Sequence, residues 1–396
     1  MLNKNIIIGH LDHIFLNLYI DILINYCKCK ETDLCIVSLD EDNYTKSLHL
    51  GVPVVHYKSI DASDLDVSKS ITAISLNKNN AFYLEEVIRK TNSKNKIFIH
   101  LTDDEVDRWD KTKDIFGKLK PTKDNHVDKH VLYVINNIKN VIAPECYFKD
   151  KLKYLFDNRS FNFIDGRDAF KSLPSKLWEE LSNLYDGNSS HTKPENRILL
   201  GGKKEVFSLS DVISIINFLI FKSKIDNLKL MVFTDSRRKR YRLWLDFYLS
   251  CLRRVKRCKV DISYPTPTNS IAYNAMILSC SHFVLQNRGS LSTARSYISM
   301  GVGRVYVMKD SPNDIELTMA EGVDVGRYVD YRELAIKIAD NRIDVKKNKE
   351  IINSRFKLKY KNLSSIYNYL LSFPEYKCRC LLHRKFLLPR FNIVTF

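Results

Sequence analysis

Short β-branched runs alternate with segments of helical period along this chain, and no other feature restricts its fold so tightly. Residues 5–8 form such a run, closed by Gly9, and residues 14–26 follow with apolar side chains at helical spacing. Residues 33–39 and 52–57 read as further strands, 82–90 as a helix, and 96–100 as a buried strand ending on a polar residue. Residues 131–142 mix the two periods. Strands that alternate with helices build parallel sheets, because a parallel pair needs a crossover long enough to hold a helix.

The pattern stops at residues 187–196, ten residues with Gly and Pro and no aliphatic side chain, and then starts again. Strands are expected at 197–200, 228–233, 259–263, 282–285 and 303–308, and helices at 208–221, 237–252, 270–279, 292–300 and 331–340. A chain of 396 residues with 44% hydrophobic content can bury two cores. The expected fold class is therefore α/β, with two Rossmann-like lobes facing a central cleft. The lobes would be residues 1–186 and 197–345, with 187–196 as linker, 346–374 as a C-terminal helix and 375–396 as a basic tail.

Open parallel sheets bind ligands beyond the carboxyl ends of their strands, so the loops at those ends hold the candidate residues. Asn287, Arg288, Gly289, Ser290, Ser292 and Thr293 lie between a strand and a helix. A helix start offers free N–H groups and a partial positive charge. Gly289 allows close backbone approach, the hydroxyls add donors, and Arg288 adds a forked cation suited to phosphate. The same turn also reads as a plain helix start capped by Ser290 or Ser292. Gly201, Gly202 and Lys203 form a second strand-end turn that could cradle a diphosphate, although its spacing is not that of a Walker A loop. On the N-terminal side His10 and Asp12 follow one strand, with His13 beside them, and His100 and Asp103 follow another, with Asp104 and Glu105 next. Imidazoles and carboxylates at such positions are candidates for one general base, and the residue types alone do not choose among His10, Asp12, His100 and Asp103.

The net charge of +17 is concentrated. Residues 220–260 hold 13 Lys/Arg against three Asp, and residues 345–396 hold 12 against two Glu, so each segment is near +10. Such patches suit nucleic acid, anionic lipid headgroups or a polyphosphate ligand. Within 237–257 the cations interleave with Tyr241, Trp244, Phe247 and Tyr248, and helical spacing places more than half of these rings on the buried side. The nine cysteines include no Cys-x-x-Cys pair and read as reduced thiols. With no apolar run of about 20 residues and no signal sequence, a cytosolic protein, pinned to a surface at most, is expected.

Ala272-Tyr-Asn-Ala-Met-Ile-Leu-Ser-Cys280, the strand and polar turn after it, Ser292-Thr293, and Met300-Gly-Val-Gly-Arg-Val-Tyr306 together resemble the C-terminal lobe of bacterial Fuc4NAc (4-α-L-fucosyl-type) transferases. The strand at 197–200 ending in Gly201, the strand at 96–99 ending in His100, and Lys120-Pro121 resemble that family more weakly. The resemblance implies a GT-B glycosyltransferase that moves a deoxyamino sugar from a dTDP-sugar to a polyprenyl-diphosphate-linked acceptor. That reaction belongs to enterobacterial common antigen or O-antigen synthesis at the inner face of the cell membrane. It implies no metal and no resident cofactor, the nucleotide-sugar being a substrate, and no nucleic-acid partner. The Asp103-Asp104-Glu105 run is accordingly not the lone Asp-x-Asp of a metal-dependent transferase. Two departures stand out. The family's Gly-x-Gly-Thr turn is Ser290-Leu-Ser-Thr293 here, with its glycine displaced to Gly289, and its Trp-Gly-Ala-Asp segment has no counterpart. A nucleic-acid-binding protein using residues 237–257 and a non-catalytic membrane-surface scaffold are the competing readings.

Overall fold

The computed structural model describes residues 4–40, 48–102, 105–113, 118–120, 127–167, 169–186, 195–204, 206–223, 227–233, 239–256 and 259–367. Two sheets dominate. The first holds β1 (Asn5–Gly9), β2 (Leu34–Ser38), β3 (Leu48–His49), β4 (Val52–His56), β5 (Ser70–Ile74), β6 (Ile97–His100), β7 (Asn140–Ile142) and β8 (Asn162–Ile164), in the order β3-β4-β2-β1-β5-β6-β7-β8. All neighbours are parallel except β3 against β4. The second holds β9 (Glu195–Leu200), β10 (Asn227–Val232), β11 (Lys259–Ser263), β12 (Cys280–Val284), β13 (Arg304–Met308) and β14 (Gly326–Tyr328), in the order β11-β10-β9-β12-β13-β14, parallel throughout.

Burial explains why these runs are strands. In β1, Ile6, Ile7 and Ile8 are all buried, so the alternation of a strand sends them to two different cores. Ile7 packs with Leu16, Tyr19 and Leu23 of the helix Ile14–Asn25. Ile6 and Ile8 pack with Leu84, Val87 and Ile88 of the helix Lys78–Lys90 on the other face. The core around Ile7 does not end with the first lobe. It continues through Ile352, Phe356 and Leu363 of the helix Val345–Tyr367 to Phe283, Leu291 and Tyr297 of the second.

That long helix therefore leaves one lobe and caps the other. Tyr367 Oη lies 2.9 Å from Tyr19 Oη and 2.8 Å from Thr72 Oγ1, and Asn5 Nδ2 donates to the Tyr367 carbonyl at 3.1 Å. Beside it, five buried charges join the lobes. Arg295 donates to Glu321 (Nε–Oε1 2.8 Å) and to Glu316 (Nη2–Oε2 3.1 Å), Lys359 donates to Glu321 at 2.6 Å, and Arg167 lies 3.5 Å from Glu316. Removing one member would strand its partner's charge in a dry interior.

Several expectations shift. Residues 187–194 of the expected linker lie outside the described residues, and Glu195 and Asn196 begin β9. The mixed segment resolves into the helix Lys129–Asn137 followed by β7. β5, β8 and β14 carry no expectation from the sequence. The C-terminal helix is described to Tyr367, and the tail at 375–396 lies outside the described residues. Lys359, one of the cations counted in the 345–396 patch, is buried and belongs to the core. Trp244 and Phe247 are each 62% exposed while Tyr241 and Tyr248 pack against the core, so half of the rings in the 237–257 segment, and not more than half, lie on the packed side.

Candidate functional site

The strand orders place the site. In the first sheet the chain runs outward from β1 to β2 and then returns to lay β5 on the other side of β1. In the second it runs from β9 through β10 to β11 and returns to lay β12 against β9. A crevice opens where the order reverses, beyond the carboxyl ends of the two central strands. Those ends carry Gly9-His10 and Ser75 in one lobe, and Gly201-Gly202 and Gln286-Asn287 in the other.

In the N-terminal lobe the crevice is a cavity of about 330 Å³, lined among others by His10, His13, Asn77, Glu105, Arg108 and Trp109. His10 Nδ1 lies 2.9 Å from Asp40 Oδ1. Burial alone would raise the Asp40 carboxyl. The Leu11 N–H, the Ser38 hydroxyl and His10 outweigh it and hold the carboxyl below its ordinary value. An ionised carboxylate only accepts, so Nδ1 carries the proton that faces Asp40, and Nε2 is the nitrogen that bears the lone pair in the neutral ring. This is the geometry of an oriented general base. Asp40 was not among the sequence candidates. The pairing Gly9↔Ser38 between β1 and β2 brings it beside His10, although 30 residues separate them.

The other candidates fare differently. Asp12 is exposed and does not line the cavity. His100 is 1% exposed and its ring meets Tyr19 and Phe170 edge-on, so it belongs to the aromatic core and not to the cleft. Asp103 and Asp104 lie outside the described residues. Glu105, next in the run, is buried in the cavity wall and accepts from the N–H groups of Leu76 and Thr102 and from the Ser75 hydroxyl. Burial pushes its carboxyl up to about 7 in spite of those bonds. Ser75 takes a left-handed conformation (φ 64) where its hydroxyl meets Glu105. His13 also faces the cavity, and burial, then the neighbouring His10, hold its imidazole below the usual value.

In the C-terminal lobe the turn after β12 leads into the helix Leu291–Met300. Intrahelical bonding starts with Ala294 N–H to the Ser290 carbonyl at 2.9 Å, so the N–H groups of Leu291, Ser292 and Thr293 precede the first bond. Ser290 occupies the cap position at φ 63 but gives no side-chain cap, and neither does Ser292. The Ser290 hydroxyl accepts from Gln286 Nε2 at 2.8 Å instead. Gln286 Oε1 in turn accepts from the Gly202 N–H at 3.2 Å, which joins the two glycine turns. A Cβ at Gly202 would sit 2.7 Å from Ser290 Cβ, so a side chain there would push the turns apart. Gly289 sits at φ +85, and its N–H donates to Asn313 Oδ1 at 3.1 Å. Asn313 is fully buried and donates from Nδ2 to the carbonyls of Gln286 (2.6 Å) and Gly289 (3.0 Å). An amide frame of two buried side chains thus fixes the turn. Thr293 is buried, whereas Asn287 and Lys203 are exposed, and Lys203 Nζ lies 3.2 Å from where a Gly289 Cβ would stand.

Arg288 crosses the cleft and forms an ion pair with Asp107 of the helix Glu105–Asp110. One short helix thus puts Glu105 into the cavity wall and Asp107 onto the facing turn. No metal-ligand cluster of three or more His, Cys, Asp or Glu occurs among the described residues.

No protein-family model matches this chain, and no curated protein matches it in sequence. Solved structures match across nearly the whole fold. HepE of Anabaena in complex with UDP is 12% identical, with 93% of this chain and 100% of that one covered at a TM-score of 0.55. Trehalose 6-phosphate synthase of Burkholderia multivorans is 8% identical, with 93% and 95% covered at 0.53. Sucrose-phosphate synthase of Thermosynechococcus elongatus is 12% identical, with 92% and 98% covered at 0.50. At these identities the likeness defines the fold, two parallel-sheet Rossmann-like lobes arranged as in GT-B glycosyltransferases.

Proposed function

We propose that the protein is a glycosyltransferase that uses a nucleotide-diphosphate sugar donor. The observation that carries this is the opposition of two chemistries across one cleft. An imidazole oriented by Asp40 lines one wall, and a helix start framed by Gln286 and Asn313 forms the other, joined by the Arg288–Asp107 pair. In the reaction, His10 Nε2 takes the proton of an acceptor hydroxyl as its oxygen bonds to the anomeric carbon. The bond from that carbon to the donor phosphate breaks. The departing diphosphate gathers negative charge, which the N–H groups of Leu291, Ser292 and Thr293, with Lys203 and Arg288, stabilise in place of a metal. Gly289 lets the phosphates approach the backbone, and Gly201 and Gly202 let the two turns pack closely behind it. HepE is a structural neighbour solved with UDP, which supports this donor class.

The family resemblance extends the reading to a deoxyamino sugar on dTDP and a polyprenyl-diphosphate-linked glycan acceptor, in the synthesis of a bacterial surface polysaccharide. The enzyme would then work as a peripheral protein on the cytoplasmic face of the membrane, with the basic segments 220–260 and 345–396 toward anionic headgroups. Isothermal titration with UDP and dTDP, beside a transfer assay on a polyprenyl-diphosphate sugar, tests the reading. Binding of a nucleoside diphosphate that weakens in Lys203→Ala is the expected result. Failure of both nucleotides to bind overturns it.

A further inference from the structure

The helix Lys239–Lys256 crosses between β10 and β11 and is apolar on two opposite sides. Leu245, Leu249 and Leu252 point into the second lobe's core. Arg240, Leu243, Trp244, Phe247, Cys251 and Arg254 recur at i, i+3, i+4, i+7, i+11 and i+14, the spacing of one helix face, and that face is in solvent. Leu243 is 67% exposed and Val255, at its margin, 76%. Core packing accounts for the first face and for nothing on the second. A stripe of this kind, large and apolar in the middle and tipped with arginine at each end, marks a surface that meets a partner.

We infer that this outward face inserts into the headgroup region of an anionic lipid bilayer, with Phe247 and Trp244 below the phosphates and Arg240 and Arg254 among them. Guanidinium groups held at headgroup level over buried rings are the arrangement of an interfacial helix. The segment around it carries a net +10 and attracts an anionic surface before any insertion. A second copy of the chain suits the stripe poorly. The face carries no carboxylate, since Asp246 stands off it beside the Tyr264 hydroxyl, so two copies would set arginine against arginine. A nucleic acid suits it poorly as well. Trp244 and Phe247 meet edge to face, 6.2 Å apart at 89°, and do not present the parallel faces of a base-stacking platform. The choice of a bilayer rests on the lipid-linked acceptor proposed above, while the exposed stripe stands without it.

Trp244 makes the inference directly measurable. Of the chain's three tryptophans, Trp109 and Trp178 are 3% and 5% exposed, so a change in emission on binding reports on Trp244. The full chain is titrated with vesicles of phosphatidylcholine alone and of phosphatidylcholine with phosphatidylglycerol. The emission is expected to shift to the blue only on the anionic vesicles, to be quenched by brominated acyl chains, and to lose that response in Trp244→Ala. Phe247→Glu, a substitution on an exposed residue, should weaken partitioning at least about tenfold and leave the melting temperature and nucleoside-diphosphate binding unchanged. An unshifted Trp244 on anionic vesicles, or partitioning that ignores Phe247→Glu, overturns the inference. So does a Trp244 shift produced by a single-stranded oligonucleotide, or by lipid-free dimerisation, in place of lipid. Vesicle binding without nucleotide binding would leave the docking face standing and sink the transferase reading alone.

Discussion

The two walls of the cleft are made by opposite means. The C-terminal wall is two glycine turns joined and held by the neutral amides of Gln286 and Asn313, and its working groups are backbone N–H donors, which do not titrate, beside the cations Lys203 and Arg288. The N-terminal wall is gathered from the ends of β1, β2 and β5 and from the helix Glu105–Asp110, and its working groups are acids and an imidazole. Stabilising a leaving diphosphate calls for fixed dipoles that cost no reorganisation, and moving a proton calls for a group that changes state. On the proposed reading, the C-terminal wall binds and the N-terminal wall reacts.

The strongest test of that contrast is His10→Ala. Transfer should fall by about a hundred- to ten-thousand-fold while titration shows nucleoside-diphosphate affinity unchanged, and an equal loss in both would erase the division of labour. Asn313→Ala addresses the other wall. It orphans the Gly289 N–H and two carbonyls, so urea unfolding should show a loss of about 2–4 kcal/mol together with weaker nucleotide binding. A variant as stable as the parent would show that the amide frame is not what holds the turn.

The titratable wall should also leave a mark on stability that the amide frame of the other cannot. Burial pushes Glu105 up to about 7 from an ordinary 4.5, so its contribution is complete below about pH 4.5 and is lost as pH rises through 7. The urea midpoint should fall across that window, and fall less in Glu105→Gln; parallel slopes would remove Glu105 as the cause. The smallest effect is expected where the walls touch. Asp107→Asn releases Arg288 from a half-exposed ion pair, and nucleoside-diphosphate affinity should rise about two- to fivefold. A drop instead would mean that Asp107 helps to aim Arg288.

The same contrast explains what the sequence disclosed. Asn287 to Thr293 could be singled out because strand, turn and helix start are consecutive residues. The isoleucines of β1 marked the first sheet because a strand buried on two faces has no polar alternation. The N-terminal wall was half legible. His10 stood among four candidates, and nothing local separates it from His100, since the difference lies in what each meets: Asp40 from β2's end in one case, Tyr19 and Phe170 in the other. Helical period likewise gave a helix at 237–252, seen at Lys239–Lys256, but put too many of its rings inward, because both of its apolar faces have the right spacing. β5, with serine, threonine and alanine at Ser70, Thr72 and Ala73, was too weak in pattern to be read, although it sits at the centre of the sheet beside β1.

The cap that Tyr367 places over Asn5, Tyr19 and Thr72 has a consequence for synthesis. The residue that closes the first strand is made 362 positions after it. At about 5–20 residues per second that is a wait of roughly 20–70 s. Throughout that wait the first lobe keeps one flank uncovered, and its closure depends on a residue beyond the whole of the second lobe.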